Sequence, residues 1–397
     1  MRKLSVLMAT AFVDMLGFAM IFPLLPFYAL RLNAQEWMIG WMIASFSIMQ
    51  LASSPLWGRL SDRMGRRGAI LVGLGTSAAA FVVFGFAVTI WMLFLSRVIQ
   101  GLGGGTTGVL QAYVADVTEP KDRAKALGWL SAATGAGVMI GPAIGSLAFN
   151  WGPEAPGLVA AALCLVNIVF AYRWLPESYP DDARTSALAG RPEATPRSIR
   201  SMIVEVLKSP GDDVSRLIWI YAAGMMGFMS MTAVLALYLA DEFAVNEENI
   251  FIFFVYVGAI GVIMRAVMLG KLVDWLGEVR LMRLGAALLA IGLFVIPLPA
   301  SVYTLGIVLG IVPVGTACLF PATSALVSHR AERHELGQTL GVQQAFGGVS
   351  RVLAPIWATA VYQGFGEAVP FYIAGAIVGG VTLMAFGVRR APAPEVA

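Results

Sequence analysis

Histidine and cysteine are almost missing from this chain, with two of each in 397 residues. Charge is scarce as well, at 13% of residues. His329 and His334 share one polar loop, so no cluster of metal-ligating side chains is available and no metal centre is expected. No nucleophile–base arrangement stands out, so no catalytic residue, no cofactor and no enzymatic reaction are expected. Cys164 and Cys318 both lie inside long apolar runs, which excludes a disulfide scaffold. The formal net charge of +3 is close to balance, and nucleic acid is not an expected partner.

What remains is apolar: 58% of the residues are hydrophobic. Twelve runs are long enough to cross a bilayer, at 4–30, 36–57, 69–89, 91–114, 124–149, 156–175, 217–240, 248–269, 281–299, 302–327, 338–362 and 369–388. Lipid offers no hydrogen-bond partner to a backbone amide, so each run is predicted to be a helix. The first run follows Arg2 and Lys3, and it is too long for a signal-peptide core. Orientation follows from Lys and Arg. With the N-terminus in the cytoplasm, 23 of the 27 lie on the cytoplasmic side, Arg31 lies outside, and Arg97, Arg265 and Arg351 lie within spans. Both termini are then cytoplasmic.

A charged loop occurs twice. Residues 58–67 read GRLSDRMGRR, and 270–280 read GKLVDWLGEVR, an offset of 212. Gly128 pairs with Gly341 and Pro142 with Pro355 at an offset of 213, and Glu119 and Asp122 pair with Glu332 and Glu335 in the same way. An internal repeat in a membrane chain points to a secondary transporter built from two halves. The expected fold is therefore an all-α membrane protein, with about 12 transmembrane helices in two pseudo-symmetric six-helix halves. These halves cover 1–178 and 214–397, joined by a cytoplasmic linker at 179–213. The linker carries Pro180, Pro192, Pro196 and Pro210. Within it, Ile199, Met202, Ile203, Val206 and Leu207 recur at helical spacing, which predicts a short amphipathic helix on the membrane surface.

Gly103, Gly104, Gly105, Thr106, Thr107 and Gly108 have the spacing of a dinucleotide fingerprint, but inside an apolar helix. Small residues there let a neighbouring helix approach closely, and that reading is preferred.

Four segments together resemble the major facilitator superfamily. They are the 58–67 loop, the run Arg97 to Gly101, the glycine-rich segment 137–146, and Asp14 to Phe18 leading to Pro23 and Pro26. The last two resemble drug:proton antiporters, tetracycline exporters among them. The resemblance implies the major facilitator fold and a place in the bacterial inner (plasma) membrane. It further implies proton coupling at Asp14 and Arg97, and an antiporter motif at Gly137, Gly141, Pro142 and Gly145. Gly58, Arg59, Asp62, Arg63, Gly65, Arg66, Asp116 and Asp274 form the expected conformational latch, in which the arginines can pair with Asp116. Asp62 would face the positive N-terminal end of a helix from the other half.

Asp14 is the only acidic residue deep in a span, near the midplane. By depth, Arg97 is within its reach. Either Asp14 protonates and releases Arg97, or the two form a static buried pair. Arg351 lies midway along the eleventh span and Arg265 near the cytoplasmic end of the eighth. Each is either a packing or snorkelling residue or a cation for an anionic substrate. Gln50, Asn167, Met225, Phe228, Met229, Arg265, Gln343, Gln344 and Arg351 make up the candidate substrate cavity. The third and ninth spans lack the acids that tetracycline exporters carry there, which disfavours tetracycline itself. The favoured expectation is a monomeric, proton-coupled exporter of small amphipathic compounds. An organic-anion or metabolite exchanger using Arg265 and Arg351 is the alternative.

Overall fold

The computed structural model describes residues 2–178, 199–331 and 335–388. The expected linker up to 198, with Pro180, Pro192 and Pro196, lies outside the described residues, as do Glu332 and His334. Among the described residues every regular element is a helix. Their order is α1 (Arg2–Ile21), α2 (Leu25–Arg31), α3 (Glu36–Met64), α4 (Arg66–Gly85), α5 (Ile90–Gly103), α6 (Thr106–Val117), α7 (Pro120–Phe149), α8 (Ala155–Trp174), α9 (Ile199–Lys208) and α10 (Asp213–Phe243). There follow α11 (Phe251–Ile263), a π-helical turn (Met264–Met268), α12 (Leu269–Leu276), α13 (Glu278–Val295), α14 (Val302–Leu309), α15 (Ile311–Arg330), α16 (Leu336–Phe365) and α17 (Val369–Phe386).

Nine stretches among the described residues are helical, long and apolar enough to cross a membrane. Three expected spans fall short of that standard, each for a physical reason. The fourth is broken into α5 and α6 around Gly104 and Gly105, and it carries Arg97, Gln100 and a run of weakly apolar glycines and threonines. The ninth, α13, begins with Glu278, Arg280 and Arg283 inside its 18 residues. The eleventh, α16, is 30 residues long but carries Gln338, Gln343, Gln344 and Arg351. The first span is interrupted at Phe22, Pro23 and Leu24, because a proline cannot donate to the helical ladder.

The repeated loop has one geometry in both copies. Gly65 ends α3 and opens α4 with φ +92°, and Gly277 ends α12 and opens α13 with φ +74°. A side chain is strained at that φ, so glycine marks the turn in both. Gly65 donates to the Ser61 carbonyl at 3.0 Å, and Gly277 to the Val273 carbonyl at 2.8 Å.

The described helices form two compact units. One comprises 1–192 with 236–258, the other 193–235 with 259–397. In the first, Val6, Leu7, Ala11, Ile70, Leu74, Leu110, Tyr113 and Ala171 belong to one buried cluster. The second contains α9, part of whose apolar face is buried against protein. Met202 and Val206 are buried with Ile218 of α10 and Val342 of α16, and Trp219 Nε1 donates to the Val206 carbonyl at 3.1 Å. The reason is local: Trp219 and Phe346 pack edge to face at 5.4 Å and give the helix a dry seat.

Candidate functional site

Asp14 lines a small pocket with Thr10, Ala11, Ile70, Leu74, Thr106 and Leu110. Its free volume is about 10 Å³, room for roughly one water molecule. All seven residues belong to the first unit. The opposite side of α1 is held by α7. A Cβ on Gly137 or Gly145 would run into the carbonyl oxygens of Phe12 and Met20, and one on Gly141 would lie 2.7 Å from both the Leu16 carbonyl oxygen and Ala19 Cβ. Phe12, Leu16 and Met20 recur every four residues and share one face. Asp14, two residues on from Phe12, points about 200° away from it. The glycines of the 137–146 segment thus seat α1 by backbone contact and leave Asp14 to face α4 and α6.

Arg97 is elsewhere. It is 2% exposed on α5, with its guanidinium carbon 5.5 Å from the centre of the Phe84 ring. Ten residues of α4, about 15 Å of helix, separate Phe84 from Leu74 of the Asp14 pocket. No ion pair joins Asp14 and Arg97 in this structure. A cation–π contact occupies Arg97 instead.

The break between α5 and α6 engages Gln50, Ser53 and Trp57 of α3. Backbone carbonyls at the break accept from side chains of α3. Gln50 Nε2 donates to Gly104 O at 3.1 Å, Ser53 Oγ to Gly101 O at 3.3 Å, and Trp57 Nε1 to Leu102 O at 2.5 Å. Gln50, expected in the substrate cavity, therefore has its amide engaged with the protein backbone. Asn167 is 2% exposed on α8, and its Nδ2 donates to the Thr10 carbonyl at 2.9 Å. It ties α8 to α1.

The latch residues gather on Arg66. Its Nη1 reaches Asp62 at 2.8 Å and Ser61 Oγ at 2.7 Å, and its Nε reaches Asp116 at 3.1 Å. The backbone amides of Arg66 and Arg67, at the exposed start of α4, are capped by the Glu177 carboxylate at 2.8 and 3.2 Å. Ser178 Oγ adds a 3.3 Å contact to Asp116. Arg59 and Arg63 are exposed, and Gly58 has open space around it. In the second copy, Glu278 stands where Arg66 does and His329 where Asp116 does. Their side chains meet at 3.2 Å, so the contact is kept with the acidic residue on the opposite helix. Asp274 is exposed.

In the second unit, Gln344 Nε2 donates to Tyr221 Oη at 3.3 Å. Tyr221 and Phe228 both meet Phe320 edge to face, at 5.2 and 6.5 Å. Met225 is buried beside them in α10, Met229 is half-buried, and Trp357 Nε1 donates to Met226 Sδ at 3.3 Å. Gln343 is fully buried and donates to Ser324 Oγ at 3.3 Å. Arg351 is half-buried on α16. Arg265 lies in the π-helical turn, a feature the residue pattern did not announce and one common at functional sites. Phe320 and Thr10 were also missed. An aromatic or a threonine inside an apolar run carries no signal of its own.

These helices and the paired loops place the chain among known proteins. The family model of the Major Facilitator Superfamily matches residues 7–316 and 267–397. The chain belongs to the Major Facilitator Superfamily. It is similar to Multidrug resistance protein 1 of Bacillus subtilis (strain 168), with 28% identity over 375 residues, 94% of this chain and 92% of that one. It is also similar to the class B Tetracycline resistance protein of Escherichia coli, with 25% identity over 364 residues, 88% of this chain and 86% of that one. Among solved structures it shares its fold with the human organic anion transporter MFSD10 (TETRAN), at a TM-score of 0.71 and 21% identity over 97% of this chain and 99% of that one. A POT family transporter in complex with a thioalcohol-conjugated peptide gives a TM-score of 0.76 at 14% identity, over 97% and 95% of the two chains. This superfamily member is an integral protein of the inner (plasma) membrane, and small molecules are its substrates.

Proposed function

We propose that this superfamily member is a proton-coupled antiporter that exports small amphipathic compounds by alternating access. One observation carries the reading. Asp14, the acidic group at middle depth, lines a pocket otherwise built from apolar side chains and two threonines, and no cation pairs with it among the described residues. A carboxylate so placed is costly when ionised and is stabilised by taking up a proton. A half-buried carboxylate with no cation beside it is placed to carry a proton rather than to be half of a salt bridge. The names of its bacterial relatives, multidrug and tetracycline resistance proteins, support a drug-like substrate.

In this mechanism the repeated halves at 1–178 and 214–397 rock against each other about the linker at 179–213. Both termini are cytoplasmic, the transporter works as a monomer, and it catalyses no chemical reaction. The Arg66 cluster with Asp62 and Asp116 holds the cytoplasmic side in one of its two states. Gln344, Tyr221, Phe228, Met225 and Met229 supply an adaptable apolar surface with one polar handle for the substrate.

The organic-anion reading keeps one support. Arg265 and Arg351 lie within spans, and no carboxylate pairs with either among the described residues. The deciding experiment is collapse of an imposed pH gradient in everted vesicles, tested with cationic, neutral and anionic compounds. The expected result is collapse by a cationic or neutral amphipath, abolished in Asp14→Asn. Collapse that survives in Asp14→Asn, or exchange of anions without a pH gradient, overturns the proton-coupled reading.

A further inference from the structure

Among the described threonines, Thr10 has a fully buried hydroxyl oxygen with no hydrogen-bond partner. Inside a helix, a threonine hydroxyl normally bonds back to the carbonyl four residues earlier. Thr76, Thr134, Thr232, Thr323, Thr359 and Thr382 all do so, at 2.6 to 3.1 Å. The Thr10 hydroxyl does not. It is buried, the residue being 1% exposed, and its Oγ1 has no hydrogen-bond partner. A buried hydroxyl without a partner is costly, and so calls for an explanation. Thr10 lines the same pocket as Asp14. Four residues apart on α1, the two share one helix face. The Thr10 carbonyl is already taken by Asn167 Nδ2 at 2.9 Å, which pins α1 to α8 at this turn.

The groups around the pair are few. From α4 come Ile70 and Leu74, and from α6 Thr106 and Leu110. From α8 the titratable neighbour of Asp14 is the buried thiol of Cys164. From α7 come glycines packed on the far side of α1. None of these is a cation.

We propose that Thr10 is a positioning residue for the proton carried by Asp14, its hydroxyl reversing its hydrogen-bond sense as the proton comes and goes. This rests on the reading of Asp14 as a proton carrier. When Asp14 is ionised, the Thr10 O–H donates to its carboxylate. When a proton carried in as hydronium through the pocket water binds one Asp14 oxygen, that new O–H donates to Thr10 Oγ1, and the Thr10 side chain rotates so that its O–H reaches the Val6 carbonyl. The threonine proton never leaves its oxygen. Each state gives the hydroxyl a partner, and the pocket admits the water that delivers or removes the proton.

The test uses Thr10→Val, which keeps the shape and removes the hydroxyl, and Thr10→Ser, which keeps the hydroxyl and removes a methyl. Purified full-length protein in lipid is titrated and followed by infrared difference spectroscopy. The Asp14 carboxyl band is identified as the one lost in Asp14→Asn. The expected result is a displaced band in Thr10→Val and a wild-type band in Thr10→Ser. Proton-driven uphill transport should fall about tenfold or more in Thr10→Val, the effect of one hydrogen bond to an ionised group, and be preserved in Thr10→Ser. Substrate exchange without a gradient should persist in both and certify folding. An unchanged Asp14 band in Thr10→Val overturns the inference alone. So does the opposite order, with Thr10→Ser the poorer variant, because that is the signature of packing. If no titrating band is lost in Asp14→Asn, the proton-carrier reading falls and the role of Thr10 falls with it.

Discussion

Arg66 holds three acceptors at once, on Ser61, Asp62 and Asp116, and its side chain is only 12% exposed. A planar fork can satisfy that geometry, whereas the single ammonium of lysine cannot reach all three. Arg66→Ala should therefore lower the initial rate of transport about tenfold, the scale of one lost charge-assisted hydrogen bond, with Arg66→Lys recovering part of it. Rates measured in vesicles at matched protein levels check this. Asp14→Asn should bind substrate and exchange it, yet fail to move it against a gradient; a paired exchange and uphill assay decides. Residues of this kind differ in how legible they are. Asp14 stands out because an acid inside an apolar run is rare. Its surroundings were not legible, because sequence gives depth along a helix and not the direction in which a side chain points. Arg97 lay at a plausible depth and turned out to face Phe84.

Helices α1 and α7 touch backbone to backbone along Gly137, Gly141 and Gly145. Any side chain there forces the pair apart, since the obstruction is main chain that cannot rotate away. Gly141→Leu should cost about 1–3 kcal/mol or more of stability and abolish transport; thermal denaturation of the purified variant measures it. The paired loops make a second comparison at this scale. The Arg66–Asp116 contact is mostly buried, whereas His329 is 62% exposed where it meets Glu278. Exposed pairs contribute little. His329→Ala should leave the melting temperature nearly unchanged, while Asp116→Ala lowers it. The exchange of residue types between the copies was legible in the sequence, but the contact itself was hidden, because an offset of 212 pairs positions without saying which side chains meet. The break of the fourth span was hidden for a related reason. Its glycines read as close packing, and the α3 side chains that donate to carbonyls at the break make it tolerable inside a membrane.

At the scale of the molecule, α9 belongs with the second unit, since Met202 and Val206 are buried against Ile218 and Val342. Residues 236–258 belong with the first, where Arg31 meets Glu247 at 2.8 Å. Co-expressed fragments 1–192 and 193–397 should therefore assemble and transport. Fragment 1–208 with 209–397 should do worse, because α9 is then severed from its seat; drug export by cells carrying each pair measures this. Read as a string of residues, the chain already announced the membrane, the helices, the repeat and the superfamily. The first three follow from composition and spacing along one dimension, since an apolar run of that length has no other stable form in lipid, and the superfamily followed from the resemblance of four segments. Only the tertiary structure decided what Asp14 faces, where Arg97 is held, which side chains close the broken span, and that Thr10 keeps a buried hydroxyl free beside the acid. Those are matters of rotation about helix axes and of contact between distant segments, and they are settled by packing rather than by order along the chain.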